Sequence, residues 1–140
     1  MTIFDLARFV TAQEDVHAKA LAELRAGRKQ SHWMWFIFPQ LAGLGHSPTA
    51  RFYALASAAE ARAYLADPLL GTRLRESVAA MLVHCGQRAE AVLGGIDAMK
   101  FRSSMTLFEA VADDPSPFAE AIEAFYDGVR DDRTLELLGR

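Results

Sequence analysis

The sequence predicts an all-α fold, and three observations support this class. Residues that cap helices recur along the chain: Ser47, Asp67 and Ser116 stand directly before a proline, while Thr11 and Ser57 are each followed three residues later by glutamate. Between these positions, apolar residues recur at spacings of three and four, which is typical of one buried helical face. No asparagine occurs, and no Asp-Gly pair is flanked by alternating apolar residues, so the usual hairpin signals are missing.

These signals predict a compact, single-domain multihelical fold over residues 1–140, with about seven to nine helices and short loops. Glycines at positions 27, 86, 94, 95 and 128 are candidate ends of helices. Four apolar stripes are the clearest evidence for individual helices: Val16, Ala20 and Leu24; Leu70, Leu74, Val78, Met81 and Leu82; Phe101, Met105, Phe108 and Ala112; Phe118, Ile122 and Phe125. In chain order, the predicted helices span about 4–10, 12–26, 48–56, 58–66, 68–85, 88–93, 97–111, 117–127 and 132–138.

The segment 33–38 is ambiguous, because six consecutive apolar residues fit a buried strand or a buried helix equally well. Its aromatic richness favours a strand. Ser31 as a cap, and the lack of a partner strand, favour a short helix that ends before Pro39. We predict a helix here.

Composition limits the functional classes. Of the 140 residues, 51% are hydrophobic and 24% are charged, which is typical of a folded domain and not of a disordered chain. The net charge of −3 gives no overall basic character, so we expect no general nucleic-acid binding. The charge is uneven: residues 1–102 hold twelve Lys or Arg against nine Asp or Glu, and residues 103–140 hold three against nine.

Several cofactor and location classes find no support in the sequence. The single cysteine, Cys85, excludes an intrachain disulfide and a cysteine-based metal site. The four histidines lack metal-ligand spacing, and no glycine-rich phosphate loop is present, so we expect no metal and no cofactor. No apolar run is long enough to span a membrane, and the first ten residues lack a signal-peptide pattern, so we expect a cytoplasmic protein without membrane association.

The first candidate for chemistry is the aromatic segment, residues 31–40. His32 and Gln40 bracket an aromatic cluster and could form a polar rim on an apolar pocket, with Trp33 or Trp35 stacking on a ligand ring. The alternative interpretation is that the cluster belongs to the core and that His32 caps a helix. Trp33 and Trp35 point to different sides in a helix or a strand, so we do not expect both in one site.

The second candidate is the polar stripe, residues 100–106. On a helix, Lys100 lies beside Ser103 and Ser104, with Arg102 and Thr106 in the same stretch, next to a buried apolar face. Cationic and hydroxyl groups in this arrangement suit an anion or a phosphate. A solvated stripe, with serines bonding back to the preceding turn, is the alternative.

These two segments also carry a resemblance. The chain resembles the bacterial domain-of-unknown-function family 1810 over nearly its whole length, through residues 31–40 (SHWMWFIFPQ), 43–45, 64–65, 70–71, 73–74 and 100–108 (KFRSSMTLF). The resemblance implies an all-helical, cytoplasmic domain and transfers no catalytic residue. Some members carry the label "calpastatin", which implies a disordered protease inhibitor and does not suit this hydrophobic chain.

A looser resemblance connects Lys100-Phe101, with the aromatic segment upstream, to the NADAR group of helical proteins. It implies an N-glycosidase or hydrolase that acts on ADP-ribose-type substrates. Such chemistry needs an acid or a base, and His32, Asp97 and Glu109 are candidates by residue type.

Three functions therefore remain open. The first is binding of a small anionic or phosphorylated ligand between the aromatic segment and the polar stripe. The second is an enzyme of the glycosidase type in the same place. The third is a protein-interaction module whose acidic C-terminal third, residues 103–140, docks a basic partner that the sequence does not identify.

Overall fold

The molecule is built of helices joined by short connections. The structure is a computed structural model, and it describes residues 4–140. The helices are α1 (Ala7–Gln13), α2 (His17–Ala26), α3 (Met34–Ile37), α4 (Pro48–Tyr53), α5 (Ala58–Ala66), α6 (Pro68–Leu82), α7 (Ala89–Leu93), α8 (Gly95–Val111), α9 (Ser116–Tyr126) and α10 (Asp132–Leu137). Residues 4–140 contain no strand, only an isolated parallel bridge between Leu41 and Leu55. The all-α prediction is confirmed; this part of the chain has ten helices because several are only one or two turns long.

The ambiguous aromatic segment is helical, as predicted. Its helix, α3, has four residues, Met34–Ile37. Phe38 leaves the helical conformation, with φ −125° and ψ 73°, because a residue directly before a proline is sterically disfavoured in the helical region. Phe38, Ile37 and Phe36 are all buried, so α3 is a core helix.

Three of the predicted caps are present. The Ser47 hydroxyl accepts a hydrogen bond from the backbone N–H of Ala50, and the Ser57 hydroxyl accepts one from Glu60. The Asp67 carboxylate accepts the N–H groups of Leu69 and Leu70. Each cap satisfies backbone donors that a helix start leaves unpaired, and together they fix the starts of α4, α5 and α6.

The predicted caps at Thr11 and Ser116 are wrong. Ser116 is the first residue of α9 and caps nothing; its backbone N–H and hydroxyl instead donate to the Asp114 carboxylate. Thr11 lies inside α1, which runs to Gln13, and α2 begins only at His17 without a side-chain cap. The longer α1 places the Gln13 amide in the core, where its Nε2 donates to the Phe36 carbonyl at 2.7 Å and to the Tyr64 hydroxyl at 3.1 Å. This tertiary network ties α1 to α3 and α5, and it outweighs the local capping preference of Thr11.

Helix α8 lies at the centre of the fold. It packs against α5, α7, α9 and α10. Phe101, Met105 and Phe108 of the predicted stripe are completely buried, whereas Ala112 follows the end of α8 and is partly buried. The Phe101 ring meets Phe38 edge to face at a centroid distance of 4.8 Å. This contact joins the aromatic segment to α8, and so it brings the two candidate segments together.

Candidate functional site

A cleft lies between the loop after α3, the first half of α8 and the N-terminal end of α10. Its volume is about 340 Å³, which falls within the range of small-molecule sites. We call it the α8 cleft; it is lined by Gln40, Leu44, Gly45, Ile96, Met99, Lys100, Ser103, Asp131 and Arg133.

One face of α8 forms a wall of the α8 cleft. Ile96, Met99, Lys100 and Ser103 are separated by three, four and seven residues, so they share one side of the helix. The buried stripe that includes Phe101 lies on another side. The core therefore fixes the rotation of α8, and this rotation presents the Lys100 side chain to the α8 cleft.

Lys100 lies against an aromatic ring and a shared carboxylate. Its Nζ is 5.2 Å from the centre of the Trp35 ring, which is a cation–π geometry. Asp97 Oδ1 is 3.8 Å from Lys100 Nζ, but Asp97 Oδ2 is only 2.9 Å from Lys29 Nζ. One carboxylate thus serves two ammonium groups, and one unit of positive charge remains uncompensated in this group of three side chains.

The opposite side of the α8 cleft is formed by the start of α10. The Asp131 carboxylate accepts hydrogen bonds from Ser103 Oγ at 3.1 Å and from the Thr134 backbone N–H at 3.1 Å, and also from the Thr134 hydroxyl. These bonds cap α10 and hold that helix against α8, and the Asp131 carboxylate keeps its negative charge on this wall of the α8 cleft. Arg133 is exposed and pairs with Glu136 at 3.3 Å, so this rim holds a second cation.

The structure brings four of the sequence-predicted site residues together. Gln40, Lys100 and Ser103 line the α8 cleft, and Trp35 lies against the Lys100 ammonium. Trp35 also lines a small adjoining cavity of about 10 Å³, which it shares with Gln40 and Gly45. The aromatic segment and the polar stripe meet through these residues.

Two residues of the aromatic segment lie elsewhere. Trp33 is fully buried, and its indole N–H donates to Glu23 Oε1 at 3.0 Å. His32 is exposed and does not line the α8 cleft. The two tryptophans point to different sides, as the sequence predicts, and it is Trp35 that lies beside Lys100.

Glu23 holds the start of the aromatic segment. Its buried carboxylate accepts the N–H groups of Gln30 and Ser31 at 2.7 and 2.9 Å, the Ser31 hydroxyl at 2.6 Å and the Trp33 indole. Burial by itself would raise the pKa of Glu23, but the hydrogen bonds from Ser31, Gln30 and Trp33 outweigh it and lower this pKa to about 2. Glu23 is therefore ionised at neutral pH and anchors the loop that leads to Trp35.

Three residues of the polar stripe have structural partners or are buried away from the α8 cleft. Arg102 donates to the carbonyls of Val129 and Arg130 at 2.8 and 2.9 Å, which ties α8 to the chain before α10. Thr106 is buried; its hydroxyl donates to the Arg102 carbonyl and accepts the Asp131 N–H. Ser104 is also fully buried, and its hydroxyl has no partner among the residues described.

Comparison with known proteins decides the family. The family model "Protein of unknown function (DUF1810)" matches residues 3–138. The chain belongs to this family. The family resemblance read from residues 31–40 and 100–108 is thereby confirmed, and the DUF1810 description names no activity.

A solved crystal structure has the same fold. The crystal structure of the conserved hypothetical protein Rv1873 from Mycobacterium tuberculosis is similar to this chain, with 47% sequence identity and a TM-score of 0.95. The match covers 98% of each chain. No curated protein sequence gives a significant match. The protein is thus an all-α member of a family whose description names no activity.

The sequence analysis did not identify several residues that line the α8 cleft. Ile96 and Met99 were available from helical spacing, because they precede Lys100 and Ser103 by four residues on the same face. Leu44, Asp131 and Arg133 carried no comparable signal. Their place in the α8 cleft depends on the packing of α10 and of the loop after α3 against α8, which a local pattern does not encode.

The acid–base candidates of the hydrolase hypothesis all lie outside the lining. Glu109 forms an ion pair with Arg130 at 2.5 Å, and Asp97 is held by Lys29. His32 is exposed. The glycosidase activity stays a prediction, as does the docking of a basic partner on residues 103–140.

Within residues 4–140, no three His, Cys, Asp or Glu side chains are grouped so that they could hold a metal ion. In the same range, no helix combines the length and the apolar character that crossing a membrane requires. Cytoplasmic location, the lack of a cofactor and the lack of nucleic-acid binding stay predictions.

Proposed function

We propose that this DUF1810 protein binds a small anionic or phosphorylated ligand in the α8 cleft, between the aromatic segment and the polar stripe. The observation that carries the proposal is the sharing of Asp97 by two lysines. Lys100 supplies the charge that meets the anion, and Trp35 supplies the aromatic surface beside it.

The charge distribution supports an anion. The side chain of Lys29 is only 9% exposed and lies 2.9 Å from Asp97, so this carboxylate compensates Lys29 first. Lys100 is more exposed and is almost 1 Å farther from the same carboxylate, at 3.8 Å. A bound anion would complete the neutralisation of Lys100, whereas Arg133 is already paired with Glu136 and the Asp131 carboxylate directs the anion towards the Lys100 side of the α8 cleft.

Neutral donors complete the proposed site. In the part of the chain that the structure describes, the Gln40 side chain makes no hydrogen bond, although it lines the α8 cleft. Its amide N–H groups are therefore available to a phosphate or carboxylate oxygen. Ser103 is less available, because its hydroxyl already bonds to the Met99 carbonyl and to Asp131.

Replacing Lys100 with alanine is expected to abolish anion binding. Inorganic phosphate at a hundred times its dissociation constant should stabilise the wild-type protein by about 2.7 kcal/mol and raise its Tm by several degrees. The Lys100→Ala variant should show no such rise at the same phosphate concentration, and Lys100→Arg should retain part of it. Thermal unfolding at constant ionic strength measures these shifts.

The matched control is Lys19→Ala, because Lys19 is an exposed lysine on α2 that does not line the α8 cleft. This variant should respond to phosphate as the wild type does. Urea unfolding without phosphate verifies that each variant is folded. A phosphate shift that survives in folded Lys100→Ala, or that disappears in Lys19→Ala, would refute the proposed site.

A further inference from the structure

Two large apolar side chains stand exposed at the mouth of the α8 cleft. Ile96 is 74% exposed and Met99 is 72% exposed. They are three residues apart on α8, so their side chains lie side by side, and Met99 directly precedes Lys100. Leu44, from the loop after α3, contributes a third apolar side chain to the same cleft.

This apolar group differs from a scattered surface residue. Single exposed hydrophobic residues are common and need no explanation, but a cluster beside polar groups in a concavity marks a binding surface. The apolar group here adjoins the positive charge of Lys100. The wall of the α8 cleft is therefore divided into an apolar part at Ile96 and Met99 and a cationic part at Lys100.

From this division we infer that the ligand is a small amphiphilic anion, that is, a phosphate or carboxylate group joined to an apolar group. The inference rests on the proposed function and specifies its ligand class. The anionic group meets Lys100 and Gln40, and the apolar group covers Ile96, Met99 and Leu44. The volume of about 340 Å³ is at the small end of ligand sites, which suits an aryl phosphate better than a dinucleotide.

Comparison of two probes of similar charge tests the inference. Inorganic phosphate and phenyl phosphate are titrated by calorimetry, at a pH where both are dianions and at constant ionic strength. The wild type should bind phenyl phosphate about tenfold more tightly, because covering the apolar group removes its surface from water. The double variant Ile96→Ser/Met99→Ser should bind both probes with similar affinity, close to that of inorganic phosphate for the wild type.

The control variant is Val83→Ser, which removes an equally exposed apolar side chain, 72% exposed, from the end of α6 outside the α8 cleft. It should keep the full preference for phenyl phosphate. Equal affinities of the wild type for the two probes, or a preference that survives in the double variant, would overturn the amphiphile while leaving anion binding intact. Failure of the wild type to bind either probe, or phosphate binding that Lys100→Ala does not reduce, would instead overturn the proposed function itself.

Sedimentation velocity tests whether a second copy of the chain, rather than a ligand, covers Ile96 and Met99. We expect the wild type and the double variant to sediment as monomers at the same rate. A wild-type dimer that Ile96→Ser/Met99→Ser dissociates would assign Ile96 and Met99 to self-association and overturn the ligand class.

Discussion

Replacing Glu23 with alanine is expected to lower the free energy of unfolding by about 4 kcal/mol. The variant leaves the Trp33 indole N–H and the backbone N–H groups of Gln30 and Ser31 without the carboxylate that accepts them. Buried donors without acceptors are costly, and charge-assisted hydrogen bonds are the stronger kind. Urea unfolding at neutral pH measures the loss of stability. The control is Glu14→Ala, because Glu14 is an exposed glutamate at the end of α1.

Acid should weaken the wild type through the same residue. Because the pKa of folded Glu23 is lowered to about 2 from 4.5, its contribution to stability is complete above pH 4.5 and is lost as the pH falls towards 2. The shift corresponds to about 3 kcal/mol. The stability difference between the wild type and Glu23→Ala should therefore narrow below pH 4.5; a constant difference over that range would contradict the role of the ionised carboxylate.

Replacing Gly71 with alanine is expected to destabilise the fold by about 3 kcal/mol. Gly71 lies in the first turn of α6, is buried, and is close to the backbone of Leu65 near the end of α5. A Cβ atom at this position would overlap the backbone carbonyl oxygen of Leu65 and would lie 2.9 Å from Arg75 Nη1. The backbone of α5 cannot give way as a flexible side chain can, so α5 and α6 must move apart.

A second helical glycine provides the comparison. Gly95 begins α8, and a Cβ atom there would meet nothing within 4 Å. Gly95→Ala should raise the free energy of unfolding by about 0.5 kcal/mol, because alanine restricts the unfolded chain. Urea unfolding of both variants measures the two changes in the free energy of unfolding. Similar changes for Gly71→Ala and Gly95→Ala would contradict the close approach of α5 and α6 at Gly71.

The helical stripes were readable in the sequence because each stripe is a local pattern. Phe101, Met105 and Phe108 sit one turn apart, and burial of one face of α8 follows from their spacing. A serine or aspartate directly before a proline predicted the capping residue correctly at Ser47 and Asp67, but not at Ser116, which lies inside α9. The predicted cap at Thr11 was wrong because tertiary hydrogen bonds of the Gln13 side chain favour an α1 that continues past Thr11 to Gln13.

The candidate site was readable only in part, for a related reason. Residue type alone singled out Lys100 and Trp35 in the sequence. Their contact depends on how the tertiary fold places the aromatic segment beside α8. The ion pair of Lys29 with Asp97 joins positions 68 residues apart, and no local pattern signals it. Because Asp97 compensates Lys29, the positive charge of Lys100 is left without a carboxylate of its own. The strongest argument for an anionic ligand therefore depends on the tertiary structure.

The most direct test of the anion site uses the fluorescence of the two tryptophans, Trp33 and Trp35. Trp33 is fully buried, whereas Trp35 lies beside the Lys100 ammonium, so an anion that binds Lys100 should change the emission of Trp35. Titration with inorganic phosphate at constant ionic strength should give a saturable change in the wild type and in Lys19→Ala, and none in Trp35→Phe or Lys100→Ala. The absence of any saturable change in the wild type, or its persistence in Lys100→Ala, would contradict anion binding in the α8 cleft.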